Sequence, residues 1–329
     1  MSNLQVICIG EALIDKIINK SDSNFTNYLG GAPANVVCAL RKLNVPTAFI
    51  GCLGDDDFGK EFIELFQQLN INIDFLQIAK QFSTRVVKVI RDECGDRSFS
   101  GFEFSKSNVF ADEVLDKLLI INNTENLKKQ FQNTKYIVTG TNLLASSKSA
   151  ESLLFLLDFA KNFNIKIIID VNWRSIFWGH SNINQEKHLK KVKNFLHHAD
   201  ILKLASEEAN LFFETNDPYE ISNFLTNQPN VIVTDGANPI KWFLNGINGT
   251  CEVVKHTSKI IDTTGAGDAF LAGLISRFFF DSDVKDKFQI KEDIKFASVC
   301  GLLTCFGEGA IEHQPNDNQV YEFLKDFGE

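Results

Sequence analysis

Gly265-Ala266-Gly267-Asp268, in the last quarter of a 329-residue chain, brings together two chemistries that would oppose each other unless a reaction needs both. The small residues let main-chain N–H groups crowd together, and the run "DAFLAGLISRF" that follows reads as a helix. Those donors and the positive helix end then converge on one anion. A carboxylate placed there is repelled by the anion, unless its task is to take a proton from a nucleophile beside it. Phosphoryl transfer to an alcohol meets that demand. The turn stabilises charge on the moving phosphoryl group while Asp268 accepts the hydroxyl proton. The plain structural alternative is an acid that favours a helix N-terminus.

Other patterns and the composition narrow the field. "GDDDFGKE" (54–61) nearly matches the phosphate-cradling pattern G-x-x-x-x-G-K-[ST], but Glu61 stands where a hydroxyl for Mg²⁺ belongs. Asp55, Asp56 and Asp57 would also set three negative charges where phosphates must sit, so the stretch reads as a turn and helix cap. "GAGDAF" lacks the third glycine of a dinucleotide fingerprint, which would fall at Phe270, and it lies far from the first strand. The net charge is -9 and no Lys/Arg block stands out, which argues against a nucleic-acid partner. No apolar run approaches the ~20 residues of a membrane span, and "MSNLQVICIGEALID" has no basic leader, so a cytoplasmic location is expected. Seven cysteines without a C-x-x-C pair read as buried free thiols rather than a disulfide framework or a zinc site.

The elements that must position the turn are legible from periodicity. Short β-rich runs, "VICIG" (6–10), "TAFIG" (47–51), "YIVTG" (136–140), "KIIID" (166–170), "ILKLA" (201–205) and "VIVTD" (231–235), alternate with helical stretches at 33–43, 57–69 and 148–163. This alternation predicts one α/β unit, a doubly wound, mostly parallel sheet with helices on both faces. The segment 84–104 breaks the rhythm and reads as a hairpin around Cys94-Gly95-Asp96, standing off the sheet. Such a ribbon is too small to hold a core alone, and the face shared by Val87 and Val89 needs cover.

Gly30-Gly31-Ala32-Pro33-Ala34-Asn35, followed by a helix and "FIGCLGDDDFG", resembles the first signature of the PfkB (ribokinase-like) carbohydrate kinases, and "DTTGAGDAF" resembles the second. "GEALID" and "DVNWR" extend the likeness over nearly the whole chain. The resemblance implies a ribokinase-like fold with a discontinuous β lid at about 12–29 and 84–104, ATP with Mg²⁺, and a sugar hydroxyl as acceptor. It implies that Gly265, Ala266, Gly267 and Asp268 are catalytic, and that Asp15, Gly31, Asn35, Asp170, Asn172 and Arg174 hold the sugar. Lys203, Thr234, Gly236, Ser298 and Gly309 match the ATP side, and Glu208 matches an acid that organises Mg²⁺ through water. Asp262 and the Thr264 carbonyl are the counterparts of a K⁺ site. A homodimer joined through the lids is a further implication. Fructose is the first acceptor candidate, from "GGAPAN" and "GEALID"; 2-keto-3-deoxygluconate and a silent sugar-binding relative are the alternatives. The chain departs from the family pattern at Asn44, Ala205 and Pro239, and "FEFSKSNVFAD" lacks the usual lid arginine.

Overall fold

Strand β1 (Val6–Ile9) is fully buried, and its alternation divides the interior in two: Val6 and Cys8 enter one apolar layer, Ile7 and Ile9 the other. A computed structural model describes residues 4–19, 25–91, 97–103, 108–179, 185–280 and 286–326. After β1 come β2 (Leu13–Asn19), β3 (Phe25–Gly30), α1 (Ala32–Lys42), β4 (Thr47–Gly54), α2 (Asp57–Gln68), β5 (Leu76–Ala79), β6 (Val86–Arg91) and β7 (Arg97–Phe102). The middle of the chain forms α3 (Lys117–Ile121), α4 (Thr124–Phe131), β8 (Tyr136–Thr139), α5 (Ser147–Ala160), β9 (Lys166–Asp170), α6 (Gln185–Leu196), β10 (Ile201–Ala205), α7 (Ser206–Phe213) and α8 (Pro218–Phe224). The remainder forms β11 (Asn230–Asp235), β12 (Asn238–Leu244), β13 (Ile247–Cys251), α9 (Ala266–Phe280), α10 (Lys287–Thr304) and α11 (Asp317–Asp326). Every strand and helix expected from periodicity is present.

The large sheet runs β13-β12-β11-β10-β9-β8-β1-β4-β5, parallel from β5 to β11 and antiparallel at β12 and β13. Residues of α1, α9 and α10 belong to one apolar layer, and residues of α5, α6, α7 and α8 to the other. This is the ribokinase-like α/β arrangement, in which the carboxyl ends of β1, β8 and β9 open onto one crevice near the reversal of strand order.

Segment 84–104 is more than a lone hairpin. β6 and β7 pair antiparallel, and β6 also runs parallel to β2, giving a second sheet of order β3-β2-β6-β7. Cys94-Gly95-Asp96 lies outside the described residues. Two expectations are corrected here. Asp15, which "GEALID" read as the end of the first strand would place there, lies instead within β2, opposite Tyr28 and Val87. Val87 and Val89 need no second subunit to cover them, because both are buried in this one chain with Leu13 and Ile17, on the face toward the crevice.

The acidic near-match at 54–61 is structural, as its charges foretold. Asp56 caps α2 by accepting from Gly59 N–H at 2.9 Å, and it also accepts from Thr84 N–H and Thr84 Oγ1 at 2.7 and 2.8 Å. It therefore fastens α2 to the root of β6. Six cysteines, Cys8, Cys38, Cys52, Cys251, Cys300 and Cys305, are buried and free, whereas Cys94 lies outside the described residues. Among the described residues no helix is long and apolar enough to cross a membrane. Asp56→Ala removes a cap and strands the Thr84 donors, so urea unfolding should show a loss of about 2 kcal/mol. A loss under about 0.5 kcal/mol would mean that the cap is dispensable.

Candidate active site

The residues predicted to act together meet in a cleft of about 320 Å³ between the carboxyl edge of the large sheet and the small one. Asp15, Gly31, Asn35, Asn172, Arg174, Lys203, Thr264, Gly265, Gly267 and Asp268 all line it. Ala266 starts α9, and Asp268 lies in that first turn. The first bond of the helix runs from Ala269 N–H to Gly265 C=O at 2.8 Å, so the N–H groups of Gly267 and Asp268 have no partner within it. Gly265 takes φ +77°, and a Cβ there would lie 2.7 Å from the Ala310 carbonyl oxygen, so both conformation and space require glycine. Gly31 is constrained alike, with φ +98° and the Glu11 carbonyl oxygen 2.7 Å from a Cβ. The glycine at 31 is thus needed by the packing itself, in addition to its place beside the cleft.

Two elements far apart in sequence fix the acid. Asn35, buried in α1, donates its Nδ2–H to Asp268 Oδ2 at 2.8 Å. Burial, and after it the Asp170 carboxylate, raises the Asp268 carboxyl to about 7, against the lowering pull of Lys203, the Asn35 hydrogen bond and Arg174. A carboxyl so placed is poised to exchange a proton near neutrality.

Beneath it, Lys203 of β10 points its Nζ at Asp170 of β9, 3.1 and 2.9 Å from the two carboxylate oxygens, with both residues buried. Burial alone would lower the lysine; Asp170, then Asp268 and Glu208, outweigh it and hold the ammonium above its ordinary range. Its Nζ lies 3.0 Å from where a Gly267 Cβ would sit, so this charge reaches the glycine turn. Glu208 stands in the first turn of α7, its Oε2 accepting from Ala205 N–H at 2.9 Å and its Oε1 from Trp173 N–H at 2.7 Å. Burial, then Asp170, raises its carboxyl. Each oxygen keeps a lone pair that a water could use.

The remaining candidates stand apart from the cleft lining. Thr234 is the last residue but one of β11, and Gly236 takes φ +56° in the turn after the strand. Ser298 is buried in α10 with no hydrogen-bond partner for its Oγ among the described residues. Gly309 N–H donates to Asp262 Oδ2 at 3.0 Å, and Asp262 Oδ1 accepts from Thr264 N–H and Oγ1 at 2.9 and 2.7 Å. Asp262 therefore ties the approach to the glycine turn to the loop carrying Gly309. Among the described residues no group of three or more His, Cys, Asp or Glu is placed to hold a metal ion.

Comparison with known proteins agrees with this geometry. The model of the pfkB family carbohydrate kinases matches residues 3–317. The chain belongs to that family. A probable fructokinase-7 of Arabidopsis thaliana is 28% identical to it, over 98% of this chain and 93% of its own length. The fructokinase of Xylella fastidiosa, solved with bound ATP, superposes with a TM-score of 0.84 over the full length of both chains at 24% identity. That of Vibrio cholerae O395, solved with fructose, ADP and a calcium ion, gives 0.80 at 26% identity, covering 98% of this chain and 100% of the other.

As a carbohydrate kinase, this chain has lining residues that the motifs alone left out. Glu11, within "GEALID", is 1% exposed; its Oε1 accepts from Asn142 Nδ2 at 2.9 Å, and burial first of all raises its carboxyl to about 7. Glu11 Oε2 and Asn142 Oδ1 have no partner among the described residues. Both follow the carboxyl ends of strands, β1 and β8, and that position was the signal available in the sequence. Val87, Val89 and Phe177 add an apolar roof. Breaking the buried Lys203–Asp170 pair with Lys203→Met leaves a lone carboxylate and should cost about 3–5 kcal/mol in urea unfolding. Adding Asp170→Leu should recover much of that loss; a double variant no more stable than the single one would contradict the pairing.

Proposed function

We propose that the protein transfers the γ-phosphoryl group of ATP to D-fructose, giving fructose 6-phosphate and ADP. One observation carries the reading: the raised carboxyl of Asp268 lies in the same helix turn as the glycines that can hold an anion, inside a cleft lined by polar side chains. Fructose is favoured by "GGAPAN" and "GEALID", and by the Vibrio cholerae fructokinase that holds fructose and ADP. The whole chain is read as one kinase unit, with 12–29 and 84–104 as its discontinuous lid. The free cysteines fit a reducing compartment such as the cytoplasm.

In this reading Asp15, Gly31, Asn35, Asn172 and Arg174 orient the sugar, Asp170, also expected to hold it, is engaged by Lys203 instead, and Asp268 takes the proton from the attacking hydroxyl. The N–H groups of the glycine turn stabilise charge on the phosphoryl group, and Lys203 adds a positive charge beside them. Thr234, Gly236, Ser298 and Gly309 belong to the ATP side; the partnerless buried hydroxyl of Ser298 fits a group awaiting a ligand. Mg²⁺, when bound, neutralises the phosphates, and Glu208 would hold it through water because both its oxygens already accept main-chain N–H groups. Asp262 has three donors on it, so a K⁺ ion there would draw chiefly on main-chain carbonyls such as that of Thr264. Val87 and Val89 roof the sugar and exclude water from the transfer.

Asp268→Asn keeps the shape but cannot take the proton, so kcat in an ADP-release assay should fall by roughly 10²–10⁴ with fructose KM little changed. The base must be ionised to act. In the parent, kcat/KM should therefore decline as pH falls through about 7. Glu11→Gln should leave that midpoint in place if Asp268 is its source. A variant at 268 with most of its turnover would remove the base, and a higher kcat/KM for ribose or 2-keto-3-deoxygluconate than for fructose would replace the acceptor.

The reading includes a homodimer through the outer face of the small sheet. Phe25, Ile18 and Ile90 are in register across β3, β2 and β6, on the side away from the cleft; Phe25 is 56% exposed, and Ile18 and Ile90 are half-buried. Such a row gains from being covered. Light scattering at micromolar concentration should give twice the 37.0 kDa chain mass, and Ile18→Lys with Ile90→Lys should halve it. A monomeric parent would end the dimer reading.

A further inference from the structure

Behind the wall of the sugar cleft lies a second cavity of about 450 Å³, a volume suited to a small ligand. Phe177 and Trp178 form one side of it, and Lys187, His188, Lys190 and Lys191 of α6 the other. The three lysines occupy positions i, i+3 and i+4 of the helix and so share one face, where like charges repel. No carboxylate lines the cavity, and none of the three lysines forms an ion pair among the described residues. The chain as a whole is acidic, so this local excess of cations is not a general surface property. Lys191 donates to the Leu144 carbonyl at 2.7 Å and lies 5.9 Å from the Trp178 ring, and the His188 ring lies tilted at 45° to the same indole, 5.1 Å between centroids. Burial first and Lys187 second lower the Lys191 ammonium, which agrees with cations held together without a counter-ion.

We propose that this cavity binds a phosphorylated sugar as an effector, its phosphate on the α6 lysines and its ring beside Phe177 and Trp178. A bare anion would use the lysines alone. The volume and the aromatic side suit a ligand with an apolar ring face attached to the phosphate. Two routes connect the cavity to the cleft. Phe177 lines both. Trp178 packs 5.1 Å from Trp173, whose N–H donates to Glu208 Oε1 and whose carbonyl accepts from Arg174 Nη1 at 3.0 Å. An occupant that shifts the Phe177–Trp178 turn therefore changes the sugar side of the site, and by linkage an acceptor sugar changes the effector's affinity by the same factor.

The test uses the full chain and tryptophan fluorescence, since of its three tryptophans Trp178 lines the cavity and Trp173 packs against Trp178. Fructose 6-phosphate is titrated with fructose and ADP already saturating, and inorganic phosphate and fructose alone serve as separate probes. The expected result is saturable binding of the phosphorylated sugar, weakened about tenfold or more by K187Q/K190Q/K191Q, a change in binding free energy of about 1.4 kcal/mol or more. Competition by the product in the cleft raises fructose KM in parent and triple variant alike; the parent alone should show a further change in fructose KM, at equal kcat, that saturates with the second site. All three lysines are exposed, but Lys191 also donates to the Leu144 carbonyl, so the unfolding midpoint of the triple variant is measured beside the parent's; Lys190→Glu alone, which leaves that bond in place, provides a second variant. Equal affinity in parent and both variants would overturn the site. Inorganic phosphate binding as tightly as the ester would overturn the sugar part. The titration does not depend on turnover, so it decides the site even if fructose proves not to be the acceptor.

Discussion

One buried ammonium sets the electrostatics of the whole centre. Lys203 pairs with Asp170 and stands among Asp268 and Glu208, so three carboxylates share one buried ammonium, with Arg174 adding a smaller pull on Asp268 and Glu208. It cannot satisfy all of them. Asp170 takes the hydrogen bonds, and the Asp268 and Glu208 carboxyls are pushed upward by burial and by Asp170 itself. The order of strands makes this possible. β9 and β10 are adjacent and parallel, which sets Lys203 directly beside Asp170 in register. The α/β frame thus does more than carry the site: its register decides which acid is paired and which is left able to accept a proton.

Much of this frame was legible in the sequence, for identifiable reasons. Parallel strands buried on both faces leave short apolar runs, and the helices between them leave a three-to-four spacing, so both could be read directly. The glycine turn and its acid were legible because few structures need that pairing. The inward face of β6 was not. Alternation shows that Val87 and Val89 share a face but not which side of the sheet that face meets, and only the parallel pairing with β2 turns it toward the cleft. Glu11 was missed for a related reason: its place after the carboxyl end of β1 marks it only weakly, and its partner Asn142 is 131 residues away.

The departures from the family pattern are absorbed locally. Asn44 ends α1 in the left-handed region at φ 62°, which asparagine tolerates, and its side chain reaches Asp317 at 2.9 Å. Ala205 has no side chain to cap α7, but Glu208 accepts its main-chain N–H instead. Pro239 is an exposed residue of β12, near the edge of the large sheet, where a missing N–H is least disruptive.

The contact between Asn35 and Asp268 spans 233 residues of sequence. A ribosome adding 5–20 residues per second needs roughly ten to fifty seconds to make the second partner after the first. Throughout that interval α1 waits without the helix against which it later packs, and the cleft residues from the first half exist without Asp268. A nascent chain can therefore assemble β1, β4 and β8 and still lack the glycine turn and Asp268. The cleft is completed late in synthesis, when the last third of the chain docks and brings the glycine turn and Asp268 to Asn35, so a chain stopped before that point holds only part of the lining.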